Sequence, residues 1–142
     1  MKWRKRRLEL RDFGLALYLL SLVLPAVWQE DDNWLHGTLT QDTLPGSCAF
    51  IMGFLSIVYG YAAWLANPLL IAAYRTRTAK RSLIYALLAL MAGLSVQLQH
   101  ATWYDEDGRL TVIGYTYGYY VWLLAFAWMA RLAVRDRYKD WR

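Results

Sequence analysis

Apolar residues along the chain gather into four long runs, Phe13–Trp28, Ala49–Tyr74, Ser82–Trp103 and Thr111–Ala130, with short polar connections between them. At 1.5 Å of rise per residue, about 20 residues cross the hydrocarbon core of a bilayer. Each run is near that length. The pattern therefore predicts helices over about 13–28, 49–74, 82–103 and 111–130 in one domain, residues 1–142. The expected fold class is all-α integral membrane, a four-transmembrane-helix bundle. The first run is short and takes extra length from Leu8–Asp12. The second is long and contains Asn67-Pro68. Proline cannot donate to the helical ladder, so a kink is expected there, and the carbonyl near Trp64 needs another partner.

Charge sharpens this picture. The segment Met1–Asp12 carries six Lys/Arg, Arg75–Arg81 four and Arg131–Arg142 five, leaving only Arg109 elsewhere. The other two connections hold Glu30, Asp31, Asp32, Asp42, Asp105, Glu106 and Asp107. Basic and acidic connections alternate, which is the positive-inside pattern with both termini cytoplasmic. So one-sided a bias also excludes dual insertion. The first outer connection, Gln29–Ser47, is expected to be a surface loop with a short interfacial helix. The second, Asp105-Glu106-Asp107-Gly108, reads as a tight turn.

Composition agrees with a lipid setting. Trp3, Trp28, Trp34, Tyr74, Trp103, Tyr104, Tyr138 and Trp141 lie near the predicted membrane edges, where amphipathic rings favour the headgroup layer. The net charge of +5 is spread beside helix ends rather than on one folded face, so lipid and not nucleic acid is the expected counterpart. A single cysteine, Cys48, excludes an internal disulfide and a CxxC pair. The basic arm and Phe13–Val27 fit a signal peptide in outline. Glu9 and Asp12 interrupt its basic region, however, and Leu24-Pro25-Ala26 is a poor cleavage site, so an uncleaved first helix is expected.

Three sets of residues stand out. Ala86, Ala89, Gly93, Gln97 and His100 recur at helical spacing and predict a packing seam of small and hydrogen-bonding side chains. Gly114 and Gly118 form a GxxxG pair in the fourth run with Ala125 beyond, and Gly14 and Ser21 mark a weaker seam on the first. For contact with a partner the candidates are Asp31, Asp32 and Trp34 in the outer connection, and the aromatics Tyr119, Tyr120 and Trp122.

Groups for catalysis are scarce. No Asp, Glu, Lys or Arg lies mid-run, where proton relays place them. His36 and His100 cannot both be buried haem ligands, and the nucleophile-elbow, HExxH and phosphate-loop patterns are absent. No catalytic residue, cofactor or metal is expected.

The segments Trp64-Leu65-Ala66-Asn67-Pro68-Leu69-Leu70 and Gly118-Tyr119-Tyr120-Val121-Trp122-Leu123-Leu124-Ala125 resemble elements of uncharacterised small four-span bacterial inner-membrane proteins. That resemblance implies a bacterial inner membrane and no particular activity. In size and topology the chain is also similar to immunity proteins against membrane-targeting bacteriocins or secreted effectors. The expected function is non-enzymatic: recognition of a protein partner, as an accessory or assembly subunit of a membrane complex. Immunity toward a toxin partner is one alternative. Lipid or quinone binding by the fourth-run aromatics is another.

Overall fold

A computed structural model describes residues 2–33, 37–56, 62–98, 102–104 and 108–140. The chain begins with helix α1 (Lys2–Val23), followed by strands β1 (Pro25–Asn33) and β2 (Thr38–Pro45). Helix α2 (Gly46–Ser56), a 3-10 turn (Ala62–Leu65) and helices α3 (Ala66–Arg75) and α4 (Ala79–Ser95) come next. A second 3-10 turn (Val96–Leu98), strands β3 (Thr102–Tyr104) and β4 (Gly108–Tyr115) and helix α5 (Tyr117–Asp140) complete it.

The all-α four-helix membrane bundle expected from the hydropathy pattern is therefore not the fold. The described residues contain five α-helices and a four-stranded antiparallel sheet in the order β2-β1-β4-β3. Pro25 cannot extend α1 and disfavours a helical residue before it, so the helix stops at Val23 and the rest of the first run becomes strand. The β-branched stretch Thr111-Val112-Ile113 likewise joins β4 instead of the fourth helix. The second run is divided into α2 and α3 rather than kinked. The connection Gln29–Ser47 is no loop: β1 and β2 pair from Pro25↔Pro45 to Asn33↔Thr38.

These changes shorten the apolar helices. The apolar part of α1, Phe13–Val23, spans roughly 16 Å at 1.5 Å per residue, against about 30 Å of hydrocarbon. One helical stretch among the described residues, Ala79–Leu98, is long and apolar enough to cross a membrane.

Among the described residues, α1 runs into β1, β2 into α2 and β4 into α5 at one end of the helices. At the other end Arg11 donates to the carbonyls of Tyr74 (3.0 Å) and Thr76 (2.9 Å), which neutralises the exposed carbonyls at the end of α3. The Tyr74 hydroxyl donates to Asp12 Oδ1 at 2.7 Å. The buried core lies between: Tyr18, Leu70, Phe126 and Met129 fill it, and Ala66, Ala73, Ala86, Ala89 and Ala125 let the helices approach. Ser82 ties α4 to α3 by donating to the Ala73 carbonyl at 2.9 Å.

Two glycines permit the junction with the sheet. A Cβ on Gly46 would run into the Ser21 carbonyl oxygen, and one on Gly118 would sit 2.7 Å from the Pro25 oxygen and 2.8 Å from that of Leu24. The corner between α1 and β1 is thus held between the first turns of α2 and α5. Thr116 adds a backbone bond to Ala26 O (3.0 Å) and a side-chain bond to Pro25 O (2.5 Å).

Candidate functional site

The acidic residues of the first connection are ordered by the strand ladder. In β1, Gln29 stands opposite Asp42 of β2, Glu30 opposite Gln41, Asp31 opposite Thr40 and Asp32 opposite Leu39. On its other edge, β1 meets β4 with Glu30↔Thr111, Asp31↔Leu110 and Asp32↔Arg109. Successive residues of a strand point to opposite faces, whereas residues directly opposite each other share one. Asp31 and Asp32 are therefore on opposite faces, although they are adjacent in sequence. Asp31 lies diagonal to Asp42 on one face, a separation of about 7–8 Å between backbones, and its register partners Thr40 and Leu110 are uncharged. Asp32 is paired in register with Arg109. Glu30, on the same face as Asp32, accepts a hydrogen bond from Gln41 Nε2 at 3.1 Å. The run Thr38–Thr43 is exposed, while Asp31 and Asp32 are half-buried.

Among the expected partner-contact aromatics that are described, only Tyr120 faces outward, at 56% exposure. Tyr119 is buried at 5% and donates to Gly93 O at 3.1 Å. Trp122 packs against Phe126 at 4.6 Å between ring centres and donates its indole N–H to Asn67 Oδ1 at 3.0 Å. Trp34 lies outside the described residues, as does His100.

The expected seams are brought together differently from their spacing in sequence. Ala86, Ala89 and Gly93 are buried on α4, with Gly93 against Leu123, Phe126 and Trp122 of α5. Gln97 lies in the 3-10 turn beyond and reaches the Tyr119 hydroxyl. Gly118 meets the α1–β1 corner, while Gly114 belongs to β4 and faces Trp28. Gly14 packs against Trp128 and Met129 of α5. Ser21 is buried and donates to its own helix at Tyr18 O (2.6 Å). At the break in the second run, Asn67 Nδ2 donates to Trp64 O at 3.0 Å, so the carbonyl that Pro68 cannot pair is met from within the turn.

Asp42, Trp64 and Tyr115 were not among the site residues expected from the sequence. Asp42 sits in the Thr-rich stretch Thr38-Leu39-Thr40-Gln41-Asp42-Thr43, whose β-branched composition was the available strand signal. Tyr115 ends β4, donates to Val96 O at 2.9 Å, and burial pushes its hydroxyl above the ordinary tyrosine range. It is held neutral as a donor rather than offered as a base. Among the described residues, no group of three or more His, Cys, Asp or Glu is placed to hold a metal ion.

Comparison with protein-family models, curated proteins and solved structures finds no match to this chain.

Proposed function

We propose that this chain is a non-enzymatic inner-membrane protein that recognises a protein partner through its sheet, as an accessory or assembly subunit of a membrane complex. The observation that carries the proposal is the register of β1 with β2. It gathers Asp31 and Asp42 on one sheet face with no basic residue in register beside them. A rigid acidic face of this kind complements a partner surface rich in Lys or Arg.

A bilayer setting is favoured by what the helices leave uncovered. Leu19, Leu20 and Val23 of α1, Ile51, Phe54 and Leu55 of α2, and Ile84, Leu87, Leu88, Met91 and Leu94 of α4 are all exposed. Only 22% of the most apolar stretch of Ala79–Leu98 is buried, whereas the core helix of a water-borne protein is mostly covered. In this arrangement Ala79–Leu98 crosses the bilayer, with the sheet external and the basic connection Arg75–Arg81 cytoplasmic.

Affinity capture of the intact chain from native membranes, under crosslinking, tests the proposal. Asp31→Asn with Asp42→Asn should lose the captured partner, while Asp32→Asn should keep it. Equal capture by the double variant, with the fold intact by circular dichroism, would sink the idea.

A further inference from the structure

Where the helices meet the sheet, a cavity of about 160 Å³ opens between α1, α2, β4 and α5. Aromatic and small side chains dominate its walls, among them Ala49, Phe50, Trp64, Tyr115, Tyr119 and Trp122. Almost every polar group there is already committed. Tyr115 donates to Val96 O, Tyr119 to Gly93 O and Trp122 to Asn67, while Asn67 donates to Trp64 O. The exception is the Trp64 indole, whose Nε1 is buried without a hydrogen-bond acceptor. Its ring is fixed by Phe50 (5.5 Å between centres) and Phe54 (5.1 Å), so the N–H cannot readily turn elsewhere.

An apolar space with one unspent donor selects its occupant. A charged ligand is excluded because no described wall residue offers a counter-charge. A pure hydrocarbon leaves the indole unpaired. The volume is close to the roughly 150 Å³ known to hold a single benzene ring, so one ring or a short stretch of chain enters and the rest of the molecule lies outside. Aromatic walls favour a flat ring over a flexible chain. From this geometry we propose that the cavity binds the ring of an isoprenoid quinone, one ring carbonyl accepting the Trp64 N–H. Outside the cavity, α2 exposes Ile51, Phe54 and Leu55, an apolar path along which the isoprenoid tail can lie.

The test is nitrogen–proton magnetic resonance on the intact chain in detergent micelles, with the Trp64 indole signal identified by its loss in Trp64→Phe. Three probes are titrated: a short-tailed benzoquinone, toluene as the same ring without a carbonyl, and the methyl ester of a medium-chain fatty acid. The benzoquinone should shift the Trp64 signal downfield with saturation, and the ester should not. Trp64→Phe should bind benzoquinone about tenfold more weakly, the loss of roughly one buried hydrogen bond, and toluene as well as before. Ala49→Leu, which fills the cavity, should bind neither ring. A saturable shift with the ester but not the quinone overturns the proposal, as does a Trp64 signal in the unmodified chain that none of the three moves.

Discussion

Trp122 of α5 donates its indole N–H to Asn67 Oδ1 at 3.0 Å, and the same Asn67 donates to the Trp64 carbonyl that Pro68 leaves unpaired. One amide side chain, 3% exposed, thus closes the break in the second run and locks it to the last helix. Asn67→Ala removes both bonds and leaves two buried partners unsatisfied. We expect a loss of about 2–4 kcal/mol, read as a lowered midpoint of thermal unfolding in detergent. Pro68→Ala restores an N–H close to the Trp64 carbonyl and should cost less. Equal losses for the two variants would argue against the role of Asn67.

Gly118 and Gly114 separate the observed fold from a simple GxxxG contact. Gly118→Ala drives a Cβ against two backbone oxygens that cannot move independently, and should cost on the order of 2 kcal/mol or more. At Gly114 the nearest atom to a Cβ is 3.7 Å away on Trp28. Gly114→Ala should be neutral within about 0.5 kcal/mol. Matched effects in a denaturation series would contradict the junction described here.

Arg11 makes two hydrogen bonds to the end of α3, to Tyr74 O and Thr76 O. Arg11→Ala should lower stability by about 1–3 kcal/mol, since bonds to a charged group are the stronger kind. Arg11→Lys should recover only part of this, because an ammonium lacks the guanidinium fork. Full recovery by lysine in a melting experiment would show that charge alone acts there.

The proposed orientation in the membrane is checked by thiol labelling in a Cys48→Ala background. A cysteine replacing Thr40, exposed on β2, should react with an impermeant reagent applied to intact cells. One replacing Thr78, exposed between α3 and α4, should react only after the membrane is opened. The reverse pattern would overturn the orientation.

Much of the helical content was legible before any coordinates. The alternation of basic and acidic connections separated the two ends of the molecule, whereas Pro25 and Asn67-Pro68 were read as lying within helices, although α1 ends at Val23 and Asn67-Pro68 fall in the first turn of α3. The sheet was not legible in the same way. Val27, Trp28, Val112 and Ile113 read as continuations of apolar helices because local hydropathy is the same for either state. Their pairing, Val27↔Tyr115 and Gln29↔Val112, joins segments far apart in the chain. Leu39 and Leu44, in the connection expected to hold a short interfacial helix, instead lie in β2. The GxxxG pair misled for a related reason: its spacing has meaning only if both glycines are helical, and Gly114 is in a strand.

What the sequence determined by itself is local or cumulative: where apolar residues run on, where proline interrupts them, and which connections carry positive charge. These follow from side-chain chemistry and covalent geometry, and distant residues do not alter them. Tertiary structure decided the rest. Ladder register puts adjacent Asp31 and Asp32 on opposite faces and brings Asp42 beside Asp31. Packing of α1, α2, β4 and α5 around one corner leaves Trp64 with a buried, unpaired N–H beside an aromatic cavity. Both outcomes depend on backbone hydrogen bonds and side-chain contacts between segments remote in sequence, and each segment's own composition permits several such pairings.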